Sequence, residues 1–114
     1  MKVIPDGLLE EITRRLVDEF QPEEIILFGS HAWGTPDEDS DIDLYVVVAE
    51  SDEPEVTLDA RAYLRLSGVR GPKDILVRTR HQYERYQHIR PSLEWRVASQ
   101  GRRLYGSGAR RASP

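Results

Sequence analysis

Two apolar runs joined through a glycine-serine pair and an acidic stretch constrain this chain most. Ile25-Ile26-Leu27-Phe28 runs directly into Gly29-Ser30, and ten residues later Asp41-Ile42-Asp43 opens the run Leu44-Tyr45-Val46-Val47-Val48. Both runs have the β-branched and aromatic content of strands. Side chains alternate along a strand, so Asp41 and Asp43 share one face with their bases roughly 6–7 Å apart. Ile42, Leu44, Val46 and Val48 take the opposite face and are available to a core. Two carboxylates that close repel by about 2–3 kcal/mol at an effective dielectric near 20. A cation offsets that repulsion, and hard oxygen ligands favour Mg²⁺.

The Gly-Ser turn supplies a second half to such a site. Gly29 opens backbone angles closed to other residues and lets a ligand approach the main chain. The amides that follow it, with the Ser30 hydroxyl, can donate to phosphate oxygens. Anion donors beside a carboxylate pair are what phosphoryl or nucleotidyl transfer requires. Taken singly, Gly-Ser is a turn and Asp-x-Asp is a solvated strand edge. Their spacing, with a strand on each side, gives the pair its chemical meaning.

The segment from Leu27 to Leu44, carrying Gly29-Ser30, ten residues and Asp41-x-Asp43, resembles the signature of the polymerase-beta-type nucleotidyltransferase superfamily. The likeness is greatest to its minimal nucleotidyltransferases, which are themselves about this long. The resemblance implies a polymerase-beta-like palm, an α/β (α+β) fold with a small mixed sheet backed by helices. It implies that Gly29 and Ser30 bind the nucleotide triphosphate and that Asp41 and Asp43 hold Mg²⁺. It also implies a third carboxylate on a later strand, completing the metal site and assisting deprotonation of the acceptor. After Asp59 the only acids are Asp74, Glu84 and Glu94. Asp74 opens the apolar run Lys73-Asp74-Ile75-Leu76-Val77 behind a Gly71-Pro72 turn and fits that role. Glu84 and Glu94 fall in helix-like stretches and read as surface charges.

The remaining pattern places a helix near residues 7–20, with Leu9, Ile12, Leu16 and Phe20 on one stripe, ended by Pro22. A strand over Glu24–Phe28, a short helix after Gly-Ser and a strand over Asp41–Val48 follow. A helix spans Val56–Leu66 after an acidic loop. Thr79 with Gln82 reads as a capping box for a helix over 80–88, and Ser92 caps another near 93–100. Arg103-Leu104-Tyr105 makes a final short strand. Residues 1–106 thus form one nucleotidyltransferase domain, and 107–114 read as a disordered tail.

A chain of 114 residues with 39% hydrophobic content can bury a core. No apolar run reaches the ~18 residues of a membrane span. Zero cysteines exclude disulfides and thiolate metal sites and fit the cytoplasm. The charge is uneven: residues 1–59 hold 17 acids against three basic residues, and 60–114 hold 13 basic residues against three acids. The basic half either faces a triphosphate, an RNA or an acidic partner, or pairs with the acidic half across the fold. On charge alone, Arg78, Arg80 and Arg85 are candidates to approach the triphosphate. His31, and the pair His81 and His88 seven residues apart, read as surface residues without a third ligand. Trp33 either stacks on a base or braces the loop, and Tyr83 and Tyr86 read as packing residues.

The leading expectation is a Mg²⁺-dependent nucleotidyltransferase that moves AMP from ATP onto a hydroxyl, with Asp41, Asp43 and Asp74 catalytic. The resemblance implies an antitoxin that AMPylates a tyrosine of a helical HEPN-domain toxin, and a chain this short favours such a partner or a homodimer. Adenylylation of a small molecule such as an aminoglycoside is the rival enzyme. A non-catalytic module that sequesters a helical partner is the rival of another class. An acidic balance disfavours direct nucleic-acid binding.

Overall fold

The computed structural model describes residues 6–34 and 41–106. The acidic cluster Asp37-Glu38-Asp39 and the tail expected from 107 onward lie outside the described residues. Nine elements follow in order: α1 (Asp6–Phe20), β1 (Glu24–Phe28), α2 (Ser30–Trp33), β2 (Ile42–Val48), α3 (Glu55–Arg65), β3 (Lys73–Thr79), α4 (Arg80–Tyr86), α5 (Leu93–Gln100) and β4 (Arg102–Gly106). The strands form one mixed sheet in the order β3-β2-β1-β4. β1 runs antiparallel to both β2 and β4, and β2 runs parallel to β3, as a strand–helix–strand crossover through α3 allows. The pattern of alternating strands and helices implies an α/β or α+β sheet, and the mixed sheet backed by helices is the architecture the resemblance implies.

Helices cover both faces of the sheet. On one face Ile25, Leu27, Ile42, Leu44, Val46, Val48, Ile75 and Val77 pack against Leu9, Ile12 and Leu16 of α1 and Leu58 and Ala62 of α3. The three- and four-residue spacing within each helix puts those side chains on one stripe. The opposite face buries Ile26, Phe28, Tyr45 and Val47 beneath Tyr83 of α4 and Val97 of α5. The face that begins with Asp43 is therefore polar only at its entrance and apolar two residues further on.

Local signals act where the sequence places them. Gln21, at φ 47°, ends α1 in the left-handed conformation common just past a helix. Thr79 Oγ1 accepts the Gln82 N–H at 3.2 Å, and Ser92 Oγ accepts the Trp95 N–H at 3.0 Å. Two details differ from the sequence pattern. β2 starts at Ile42, so Asp41 precedes the strand and is exposed. Glu94 is not a surface charge: it is buried, and its carboxylate accepts the Tyr45 hydroxyl at 2.9 Å. Helical periodicity could not show this, because the donor comes from a strand 49 residues earlier.

Part of the uneven charge is met by pairing across the fold. Arg61 binds Glu19 and Glu53, Arg65 reaches Asp18, and Arg78 sits between Glu55 and Asp59. Arg80 bridges Glu23 and the fully buried Glu24, which also receives Arg103. Arg85 has no such ion pair among the described residues and lies over the Tyr86 ring. No helix among the described residues is long and apolar enough to cross a membrane.

Candidate active site

The Gly-Ser turn and the second strand are brought together by strand pairing. The β1–β2 register sets Phe28 opposite Asp43, so the turn that leaves β1 sits against the residue that enters β2. Gly29 holds φ 79° and ψ −160°, a region essentially restricted to glycine. A β-carbon built there would meet Asp43 Oδ2 at 2.0 Å. Its backbone angles require glycine, and the Asp43 carboxylate beside its α-carbon would have to shift to admit a β-carbon.

Ser30 opens the single turn of α2. The Ala32 and Trp33 amides turn back to Gly29 O at 2.9 and 3.0 Å. As the first residue of that turn, Ser30 has no acceptor within it for its own N–H. The Trp33 ring packs 6.0 Å from Phe28, and the Arg96 guanidinium lies 4.5 Å above it, so Trp33 braces the turn against α5.

The parallel β2–β3 register sets Asp43 beside Asp74. Paired residues on neighbouring strands share a face, at a strand spacing of about 4.8 Å. Both carboxylates therefore project from the same side of the sheet, Asp43 half-buried and Asp74 exposed at the start of the edge strand. Burial, and then the negative charges of Asp74 and Asp41, push the Asp43 carboxyl up to about 6, while His31 pulls it back. His31 is thus half-buried next to the site rather than on the open surface.

Those three aspartates offer hard oxygen donors, and the unrelieved negative charge around Asp43 is what a divalent cation would offset. The side chains are not gathered around a common point: no group of three acidic or histidine residues forms a closed cluster among the described residues. Asp41 is exposed ahead of β2. Arg78 and Arg80, expected from charge to approach a triphosphate, are instead committed to acidic partners near the opposite end of β3. A groove of about 630 Å³ between α1 and β4, lined by Leu9, Val17, Leu104 and Tyr105, contains none of the site residues.

The family model described as a nucleotidyltransferase domain matches residues 9–100, from within α1 to the end of α5, and this chain belongs to that family. Among solved structures it is similar to a candidate nucleotidyltransferase from Sulfolobus solfataricus. The two are 30% identical, the match covers 69% of this chain and 70% of that one, and the TM-score is 0.56. No curated protein matches the chain. Family and fold together support nucleotidyl transfer as the general activity.

Proposed function

We propose that this chain is a Mg²⁺-dependent nucleotidyltransferase of the minimal type, moving AMP from ATP onto a hydroxyl of a protein acceptor. The observation that carries this reading is the register that sets Asp43 beside Asp74 and directly against the Gly29-Ser30 turn. Asp41, Asp43 and Asp74 would hold Mg²⁺, which supplies charge neutralisation on the triphosphate oxygens. Ser30 donates its hydroxyl to a phosphate oxygen, and Gly29 lets the triphosphate approach the main chain. Asp74, exposed on the outer strand, accepts the proton of the attacking hydroxyl. The acceptor oxygen bonds to the α-phosphorus, the bond from that phosphorus to the bridging oxygen breaks, and pyrophosphate leaves.

ATP and the acceptor come from the resemblance to minimal nucleotidyltransferases. It favours a tyrosine of a helical HEPN-domain toxin, with this chain as its cytoplasmic antitoxin. The openness of the site supports an acceptor supplied by a partner, since Asp41 and Asp74 are both exposed. The test is label transfer from ATP labelled at the α-phosphate, with Mg²⁺ and helical proteins that co-purify with the chain. Transfer is expected with the wild type and lost in Asp43→Asn or on chelation. Equal labelling by wild type and Asp43→Asn overturns the proposal.

A further inference from the structure

The outer edge of β3 is sealed by side chains of α3. β3 is the terminal strand of the sheet, so its outward N–H groups have no strand partner. Asp59 Oδ1 accepts the Val77 N–H at 2.9 Å, and the Tyr63 hydroxyl accepts the Ile75 N–H at 2.9 Å. The periods match: four residues of helix rise about 6 Å, and two residues of strand about 6.6 Å. Asp59 and Tyr63, one helical turn apart, therefore meet alternate amides of the edge strand.

Tyr63 does something Asp59 does not. Its oxygen accepts from Ile75, which leaves its one proton to donate. Two acceptors are within reach: Asp74 Oδ1 at 3.4 Å and Lys73 O at 3.5 Å. An ionised carboxylate is the stronger acceptor. The Tyr63 contact is the only hydrogen bond to the Asp74 side chain among the described residues. Asp74 is otherwise an exposed carboxylate on an edge strand. At 3.4 Å the contact is at the long end of hydrogen bonding.

We propose that Tyr63 is a positioning residue for the metal site: anchored on the Ile75 amide, it holds one oxygen of Asp74 and leaves the other to face Asp43. The inference rests on the reading of Asp43 and Asp74 as metal ligands. A partner one shell out from a ligand commonly changes metal affinity or activity by about 10- to 100-fold.

The experiment measures binding of Mn²⁺ alone, by its paramagnetic effect on water protons, to wild type, Asp43→Asn, Tyr63→Phe and Asp59→Ala. Where an acceptor is in hand, kcat and the KM for ATP are measured alongside. Asp59→Ala opens the same strand edge and also frees Arg78 from its Asp59 ion pair, without touching Asp74, so it sets an upper bound on the cost of edge damage. The expected result is Mn²⁺ binding that Asp43→Asn abolishes, that Tyr63→Phe weakens about tenfold or more, and that Asp59→Ala leaves within about twofold. In turnover, Tyr63→Phe lowers kcat with KM for ATP unchanged. Tyr63→Phe matching wild type, or matching Asp59→Ala, overturns the positioning role while leaving the ligand assignment intact. Mn²⁺ binding indifferent to Asp43→Asn overturns the ligand assignment and this inference with it.

Discussion

The Asp43 carboxylate packs directly on the α-carbon of Gly29, so close that a β-carbon at residue 29 would stand 2.0 Å from Asp43 Oδ2. The Gly29-Ser30 turn and the entrance of β2 are one packed unit rather than two motifs that happen to meet. Whatever moves one moves the other. The contact also explains why the first residue of the pair is glycine, independently of any ligand.

Gly29→Ala is therefore expected to damage both stability and activity. The backbone at φ 79° and ψ −160° costs a non-glycine residue about 1–3 kcal/mol, and the clash with Asp43 adds to it. Urea denaturation should show a loss of about 2 kcal/mol or more. Nucleotidyl transfer should fall far beyond what the unfolded fraction accounts for, because Asp43 must shift. Full activity in a folded Gly29→Ala protein would contradict the packing described here.

Asp43 makes metal-free stability depend on pH in an unusual direction. Its carboxyl is raised to about 6 by burial and by Asp74 and Asp41, against about 3.9 in an unfolded chain. The folded state therefore binds this proton more tightly than the unfolded state. The stabilising contribution is fully present below the unfolded value and is lost as pH rises through about 6. Asp43→Asn should raise Tm of the chelated protein at pH 7 and lose that advantage towards pH 4. If Asp43 holds Mg²⁺ as proposed, saturating Mg²⁺ should shrink the difference at pH 7. A Tm difference that does not change with pH refutes this account.

The buried Tyr45–Glu94 pair should be sensitive to removal of one partner. Burial, and then the Glu94 carboxylate, push the Tyr45 phenol well above its ordinary value, so it stays a donor throughout the physiological range. Tyr45→Phe strips the donor from a carboxylate that is 9% exposed. Leaving that acceptor unsatisfied costs about 1–3 kcal/mol. The measurement is the shift in urea midpoint, with the double variant Tyr45→Phe/Glu94→Leu recovering part of the loss.

Glu24 offers a second test of buried charge. It is 1% exposed and is held by Arg80 at 2.7 Å and Arg103 at 3.2 Å. Arg80→Met removes the closer partner and is expected to destabilise by about 3 kcal/mol, because a buried carboxylate is left undercompensated. Arg80→Met/Glu24→Gln should be less destabilised than Arg80→Met alone. Additive losses in that cycle would show that the two charges do not depend on each other.

Sequence alone determined the local parts of this protein. The helical stripes, the caps at Thr79 and Ser92, the strands around Gly29-Ser30 and Asp41-x-Asp43, and Asp74 at the start of a strand all follow from short-range periodicity and turn chemistry. Such signals act within a few residues, so they are legible in a single chain. Asp41 shows their limit: alternation placed it in the strand, but the ladder begins at Ile42.

Only the tertiary structure decided what those parts meet. Strand order and register set Asp43 beside Asp74 and against Gly29. Packing turned Glu94 from an expected surface charge into the buried partner of Tyr45, and drew Arg78 and Arg80 away from any triphosphate into ion pairs. Tyr63 carried no signal at all in the sequence, because its role depends on α3 lying along the edge of β3. The reason is common to all of them: a side chain's charge and hydrogen-bonding capacity are written in its residue type, but its partner is chosen by which surfaces the folded core brings into contact.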